Sequence, residues 1–275
     1  MKNRFKSSLF LLLLFVNITQ AQEFQGRAIY ISKSLNNVFF DTKGMSEEKL
    51  KALNEKINKM FEKTFILNFN KTESTYQQEQ KLKETGSRGS TFASELEGEL
   101  YKNSQTKKYL KAEEFANKNY IITDVLKNYN WDLTQETKKI GGYTCYKAIS
   151  ITKVTKKELQ EYEVEKAKQS KNKTSFFNLE KPKDNKITVW YNPEIPVSHG
   201  PNQYWGLPGL IMEVNENNII ILCSKVVLNP KDKKNIKAPK NGKIISQSAY
   251  DLMEEKQYDK LKDENGSIHI NVPSN

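Results

Sequence analysis

The sequence predicts an α+β fold that is mainly β: a curved antiparallel sheet with one early helix packed on it and a C-terminal helix. Three observations predict it. Short runs of alternating apolar and polar residues recur along the chain, separated by turn residues. A single amphipathic stripe at 46–61 interrupts them early, and a second helical stretch closes the chain. Many short strands with one early helix bury their apolar faces when the sheet curls around that helix. No internal repeat is visible.

Taken in order, Phe24, Gly26, Ala28 and Tyr30 alternate with Gln25, Arg27 and Ile29, the period of a first strand. Ser46 is a fitting N-cap, Glu47 and Glu48 suit the positive end of the helix dipole, and Met45 is placed to staple onto Leu50. Leu50, Leu53, Ile57, Met60 and Phe61 share one helical face. Phe65, Leu67 and Phe69 alternate with Ile66, Asn68 and Asn70 in a strand, with 72–80 as its polar partner. The polar run 81–99 reads as a loop. Strand patterns resume at Leu100-Tyr101, 107–115, 120–126 and Trp131-Asp132-Leu133, and Gly141-Gly142 turns the chain into 143–151. A polar, Lys-rich insertion at about 153–186 carries a helical piece from Lys157 to Lys168. The sheet returns at 187–191, and 210–214 with 219–228 forms a hairpin. Ser248 with Asp251 three positions later starts the last helix, which runs to about Lys262.

Lys2, Arg4 and Lys6 precede the apolar run 9–16, and Thr19-Gln20-Ala21 supplies small residues before a cut, so 1–21 reads as a signal peptide and 22–275 as one β-rich domain. The apolar run is shorter than the ~20 residues a transmembrane helix needs. The expected destination is the periplasm, the outer-membrane surface or the medium. Cleavage removes three of the basic residues and no acid, lowering the formal charge from +11 to +8. Beyond residue 21 the only arginines are Arg27 and Arg88. Phosphate and guanine readers favour arginine, so the charge suits solubility or an anionic envelope surface rather than nucleic acid.

Cys145 and Cys223 enclose 77 residues. An oxidising compartment permits one disulfide between them, and two separately buried thiols are the alternative; the spacing has no CxxC pair for a zinc site. Only His199 and His269 supply imidazole, and no HExxH, GxSxG, P-loop or dinucleotide motif occurs. No catalytic set, metal or cofactor is therefore expected. The enzymatic alternative is a hydrolase or metal-assisted activity using His199 and a nearby carboxylate, with Asp132, Glu136, Glu194 and Glu213 as first candidates.

The most informative segment is 192–209. Pro193, Pro196, Pro201 and Pro208, with Gly200, Gly206 and Gly209, restrict eighteen residues far more than an ordinary loop. Such stiffness holds Tyr204, Trp205 and Leu207 either as a recognition surface or as a plug closing one end of the sheet, and with Trp190, Tyr191 and His199 they are the candidate ligand- or partner-binding residues. Pro208-Gly209 at the centre of a type II turn predicts a positive φ at Gly209, with Gly200 the less demanding position.

Gly206-Leu207-Pro208-Gly209-Leu210-Ile211 resembles the signature of the GLPGLI, or Porph_ging, family of bacterial envelope proteins. Trp131 to Thr134 with Glu136, Lys138, Ile140, Gly142, Tyr143, Cys145, Lys147 and Ala148 resembles a second family signature. Trp190-Tyr191, Ile195-Pro196 and Gly200-Pro201 resemble a third. The insertion matches none of them. The order of elements is similar to the half-barrel of LolA-type lipoprotein carriers, which implies a concave face for an acyl chain or peptide. The absence of catalytic motifs beside a stiff aromatic loop points to a non-enzymatic protein that binds an apolar ligand or a partner protein, and the family resemblance implies an accessory role at the outer membrane beside a TonB-dependent receptor system.

Overall fold

A computed structural model describes residues 24–34, 46–79, 98–171 and 180–261. The expected signal peptide, the Met45 staple, most of the 81–99 loop, part of the insertion and His269 lie outside them. The strands are β1 (Gly26–Ser34), β2 (Lys63–Phe69), β3 (Glu73–Gln78), β4 (Leu100–Asn103), β5 (Lys108–Phe115), β6 (Lys118–Val125), β7 (Asp132–Ile140), β8 (Tyr143–Thr152), β9 (Asn185–Asn192), β10 (Leu210–Glu216), β11 (Ile219–Leu228) and β12 (Lys243–Ser246). The described helices are α1 (Glu47–Met60), α2 (Lys156–Lys171) and α3 (Gln247–Leu261).

All twelve strands join one open sheet in the order β12-β6-β5-β4-β3-β2-β1-β11-β10-β9-β8-β7. β1 sits mid-sheet, paired with β2 on one side and β11 on the other. Register aligns the apolar residues into rows across one face. Ala28 faces Leu67, Leu67 faces Tyr76, and Tyr76 faces Leu100. On the other side of β1, Ala148 faces Val189, Val189 faces Val214, and Val214 faces Ile221. These rows are the core, because period-two alternation sends them all to the same side of the sheet.

The antiparallel expectation needs one correction. β12 pairs with β6 in parallel. A parallel neighbour cannot be reached by a tight hairpin, and the chain crosses from β11 through 229–242 to lay this short strand on the edge. Gly242, at φ +149°, makes that approach, where an added Cβ would stand 3.0 Å from the Asn119 carbonyl oxygen. The opposite edge, β7, carries charged residues and a register shift between Leu133 and Thr137, features that blunt an open edge. β7 also runs well past the Trp131-Asp132-Leu133 pattern, because its polar residues 137–139 are held by the ladder to β8 and Thr134 donates to the Lys147 carbonyl at 3.2 Å across the register shift.

Ser46 caps α1 as expected, its Oγ accepting from the Lys49 amide at 3.4 Å. Among the described side chains of α1, Leu50 and Leu53 are half-buried and the others exposed. Thr155 and Glu158 cap α2 reciprocally, at 2.7 Å and 3.2 Å. The cap of α3 is Ser246 rather than Ser248, since the Ala249 amide donates to Ser246 Oγ at 3.2 Å and strand β12 runs directly into the helix. Tyr250 docks α3 by edge contacts with Phe115 at 5.7 Å and Tyr120 at 6.5 Å. Among the described residues no helix is long and apolar enough to cross a membrane.

The cysteines are free thiols, both buried. β9 and β10 lie between β8 and β11, so Cys145 and Cys223 are not neighbours in the ladder, and the disulfide reading gives way to that of two buried thiols. Burial pushes Cys145 up to about 11 and Cys223 up to about 12, which leaves both protonated and unreactive at neutral pH.

Candidate functional site

The proline-rich segment 193–209 lies across the core face of the sheet. Its rigidity comes from pairing with the strand that follows it. The Leu210 amide donates to the Ile195 carbonyl at 3.0 Å and the Ile211 amide to the His199 carbonyl at 2.9 Å. Asn192 starts the loop, accepting from the Ile195 amide at 3.2 Å while donating to the Thr144 carbonyl at 2.8 Å. Ile195, Val197, His199, Tyr204 and Leu207 are all buried. Of the two sequence readings of this loop, the plug matches its placement.

The glycines explain how the loop fits. Gly206, not Gly209, has the positive φ, at +95°. Gly209 is needed for a close approach instead: an added Cβ would stand 2.3 Å from the Asn192 carbonyl oxygen and 2.8 Å from Pro193 Cα. Gly200 is less tightly constrained, with an added Cβ 2.8 Å from Ile211 Cβ and 3.0 Å from the Tyr204 carbonyl oxygen. The chain folds back on itself here, and backbone contact rather than turn type selects glycine. Pro208 is exposed on the outer side of the bend.

Lys102 anchors the loop from β4, on the same core face as Leu100. It is 1 % exposed, and its Nζ donates to the carbonyls of Gly200 at 2.7 Å, Asn202 at 2.5 Å and Tyr204 at 3.1 Å. Burial pushes its ammonium down to about 7. Three acceptors use all three N–H bonds, which only the ammonium form supplies. Sequence reasoning missed Lys102; the available signal was a lysine inside the short strand run Leu100-Tyr101-Lys102.

His199 packs 6.2 Å from the Phe69 ring, and its Nε2 has no hydrogen-bond partner among the described residues. Burial, then the Lys102 charge, push it down to about 3 against the Asn70 backbone, so it is neutral. Ser74 Oγ, on the strand opposite Lys102, is likewise unpartnered. Glu194 is exposed, and no described group of three His, Cys, Asp or Glu side chains converges as a metal site.

An aromatic clasp closes the other side of the loop. Trp131 Nε1 donates to the Trp205 carbonyl at 2.8 Å, and Trp205 Nε1 returns a bond to the Lys127 carbonyl at 2.9 Å. Tyr129 stacks on Trp131 at 4.9 Å and leans on Tyr204 at 5.5 Å. The Tyr204 hydroxyl donates to Glu216. Trp190 belongs elsewhere: alternation places it on the sheet face opposite Val189, with Lys138 over its ring at 4.4 Å and Lys138 paired to Glu213 at 2.7 Å. Tyr191 shares the core face and lies 6.2 Å from Tyr146. Asp132 and Glu136 are exposed on β7. The residues singled out in sequence thus form a buried plug and a separate outer patch rather than one recognition surface.

Beside the plug, the core face leaves a cleft of about 280 Å³. Phe65, Leu100, Ile219 and Ile221 form its apolar walls, while Gln77, Gln78, Asn202 and Gln203 form its polar rim. Because Asn202 and Gln203 sit on the stretch that Lys102 holds, the cleft depends on the plug for one wall.

Residues 131–213, from Trp131 of the clasp to Glu213, match the family model described as protein of unknown function (Porph_ging). This stretch belongs to the Porph_ging family. The Porph_ging region holds both tryptophans of the clasp and the whole plug, whereas Lys102 and all four apolar cleft walls lie outside it. No curated protein matches the chain. Among solved structures the chain is similar to PNGF-II in a C2 crystal form, at 15 % identity and a TM-score of 0.50 over 86 % of this chain. A P21 form of PNGF-II gives 15 % identity and a TM-score of 0.49 over 85 % of this chain. The chain spans about a third of the PNGF-II chain, 33 % and 34 % in the two forms, and at this identity the likeness concerns the fold alone.

The buried basic groups make stability depend on pH. The unfolded chain protonates His199 below about 6.5, whereas the folded protein resists until about 3, so stability falls as the pH drops through that window. Lys102 acts between about 7 and 10.5, where the unfolded chain holds a proton that the folded one releases, so stability rises with pH there. Above about 9 the raised cysteines reverse the trend. Urea titrations from pH 4 to 10 are expected to show maximum stability at about pH 8–9, with slopes up to about 1.4 kcal/mol per pH unit from each group. A maximum at or below pH 6 would contradict the burial of both groups.

Proposed function

We propose that this chain is an exported, non-enzymatic envelope protein that binds an apolar ligand, lipid or peptide, or a partner protein in the cleft beside its aromatic plug. The observation that carries the reading is the apolar cleft itself, walled by Phe65, Leu100, Ile219 and Ile221 and braced by a stiff loop. Concave apolar sites with a few polar groups at the rim are the usual form of ligand sites. A braced wall also spares the ordering cost of binding. The N-terminal segment 1–21 supports export, and the family resemblance supports a place near TonB-dependent receptors at the outer membrane. His199 supports no catalytic reading, because its ring is buried and its charged neighbour is a lysine.

The test is a calorimetric titration of the purified protein against a panel of lipids and peptides, repeated with Leu100→Gln. Binding that weakens at least tenfold in the variant is expected. Flat titrations across the panel end the ligand form of the proposal. The partner form then requires a stable complex in pull-downs from envelope extracts that an exposed-face change, Ile219→Arg, disrupts.

A further inference from the structure

The cleft is selective in a way its apolar walls alone do not convey. Its volume, about 280 Å³, lies at the small end of the ~300–1,000 Å³ typical of ligand sites. That space takes one large side chain or two small ones, not a pair of long acyl chains. Four carboxamides, Gln77, Gln78, Asn202 and Gln203, surround the apolar walls. Their side chains make no hydrogen bond to other described residues. Among the described lining residues Lys111 is the one that carries a charge, and Glu113 neutralises it at 2.5 Å. A carboxamide offers two donors and an acceptor with two lone pairs, which complements a peptide bond and gives no preference to a charge. Phe65 and Tyr76 both line the cleft but stack on each other at 4.9 Å, so each has one ring face covered, and the other apolar walls are aliphatic; the interior suits an apolar side chain better than a sugar ring.

We infer that the ligand is an uncharged peptide segment of another protein, which inserts a single large apolar side chain into the cleft while its flanking peptide bonds pair with the carboxamide rim. This rests on the cleft-binding reading above and narrows it from lipid or peptide to peptide.

The experiment uses three probes with the purified full chain: acetyl-Ala-Phe-Ala-amide, acetyl-Ala-Ala-Ala-amide and palmitate. Calorimetry is expected to show the phenylalanine peptide binding at least tenfold tighter than the alanine peptide, with palmitate weaker still. Ile219 is 45 % exposed, so Ile219→Arg leaves the fold intact while blocking the cleft, and it is expected to lower the peptide affinity at least tenfold. The double variant Gln78→Leu, Gln203→Leu is expected to weaken the peptide without weakening palmitate. Palmitate binding that Ile219→Arg abolishes, beside silent peptides, overturns the peptide inference and leaves the cleft reading standing. Peptide binding unaffected by both variants places the peptide elsewhere and overturns the inference. Silence of all three probes removes it together with the ligand form of the broader reading.

Discussion

Replacing Lys102 with methionine is expected to lower the unfolding free energy by about 3 kcal/mol, although methionine matches the lysine stem in volume. The substitution leaves the carbonyls of Gly200, Asn202 and Tyr204 buried without their donor. Each orphaned buried acceptor costs about 1–3 kcal/mol. Against this stands the relief from burying an ammonium, which is real because Lys102 is pushed down to about 7. Three orphaned carbonyls outweigh that relief, since nothing else among the described side chains reaches them and the loop cannot turn them outward without unpacking His199 and Tyr204. For a domain of this size the change corresponds to a melting temperature lower by roughly 6–12 °C. Hydrogen exchange should rise first in 199–211, where the plug leaves the sheet. An unchanged or higher melting temperature for Lys102→Met would mean that the lysine does not hold the loop.

Gly209→Val is expected to destabilise by about 3 kcal/mol or more, at the upper end of what overpacking does. The obstacle is backbone on the facing strand end, with the Asn192 carbonyl oxygen 2.3 Å and its carbon 2.6 Å from an added Cβ. Backbone atoms cannot swing aside as a flexible side chain does. Relief requires breaking the bond from the Leu210 amide to the Ile195 carbonyl, which closes the loop. Because the first side-chain carbon already clashes, Gly209→Ala should lose most of what Gly209→Val loses. Gly206→Ala should behave differently. An added Cβ there meets only the Trp131 indole, at 3.6 Å, so its loss of about 1–2 kcal/mol is conformational, from the φ of +95°. Melting curves of the three variants decide the matter, and a Gly209→Ala protein as stable as the parent would refute the close-approach account.

Much of the sheet was legible because strand periodicity is local. Phe65, Leu67 and Phe69 announce their burial by alternation alone, and the Asn217-Asn218 turn of the β10–β11 hairpin lies between two apolar runs. The hexapeptide pointed to the family because its glycines and proline are rare in that order, and its stiffness correctly implied a loop held in one place. The same reasoning misassigned the positive φ to Gly209, since turn type was judged from Pro208 without the strand end that crowds the site.

What the sequence by itself determined was the set of elements, the family signature and the restricted loop, all properties of neighbouring residues. Tertiary structure alone decided which strands meet. It placed β12 parallel to β6, separated Cys145 from Cys223 by two strands, and put Trp190 on the face away from Tyr204. It also brought Lys102 onto carbonyls about a hundred positions away, at |i−j| of 98, 100 and 102. A lysine's local neighbours do not reveal that it will be buried, because burying an ammonium is unfavourable until three acceptors converge on it, and convergence exists only once the sheet has curled and the loop has crossed it.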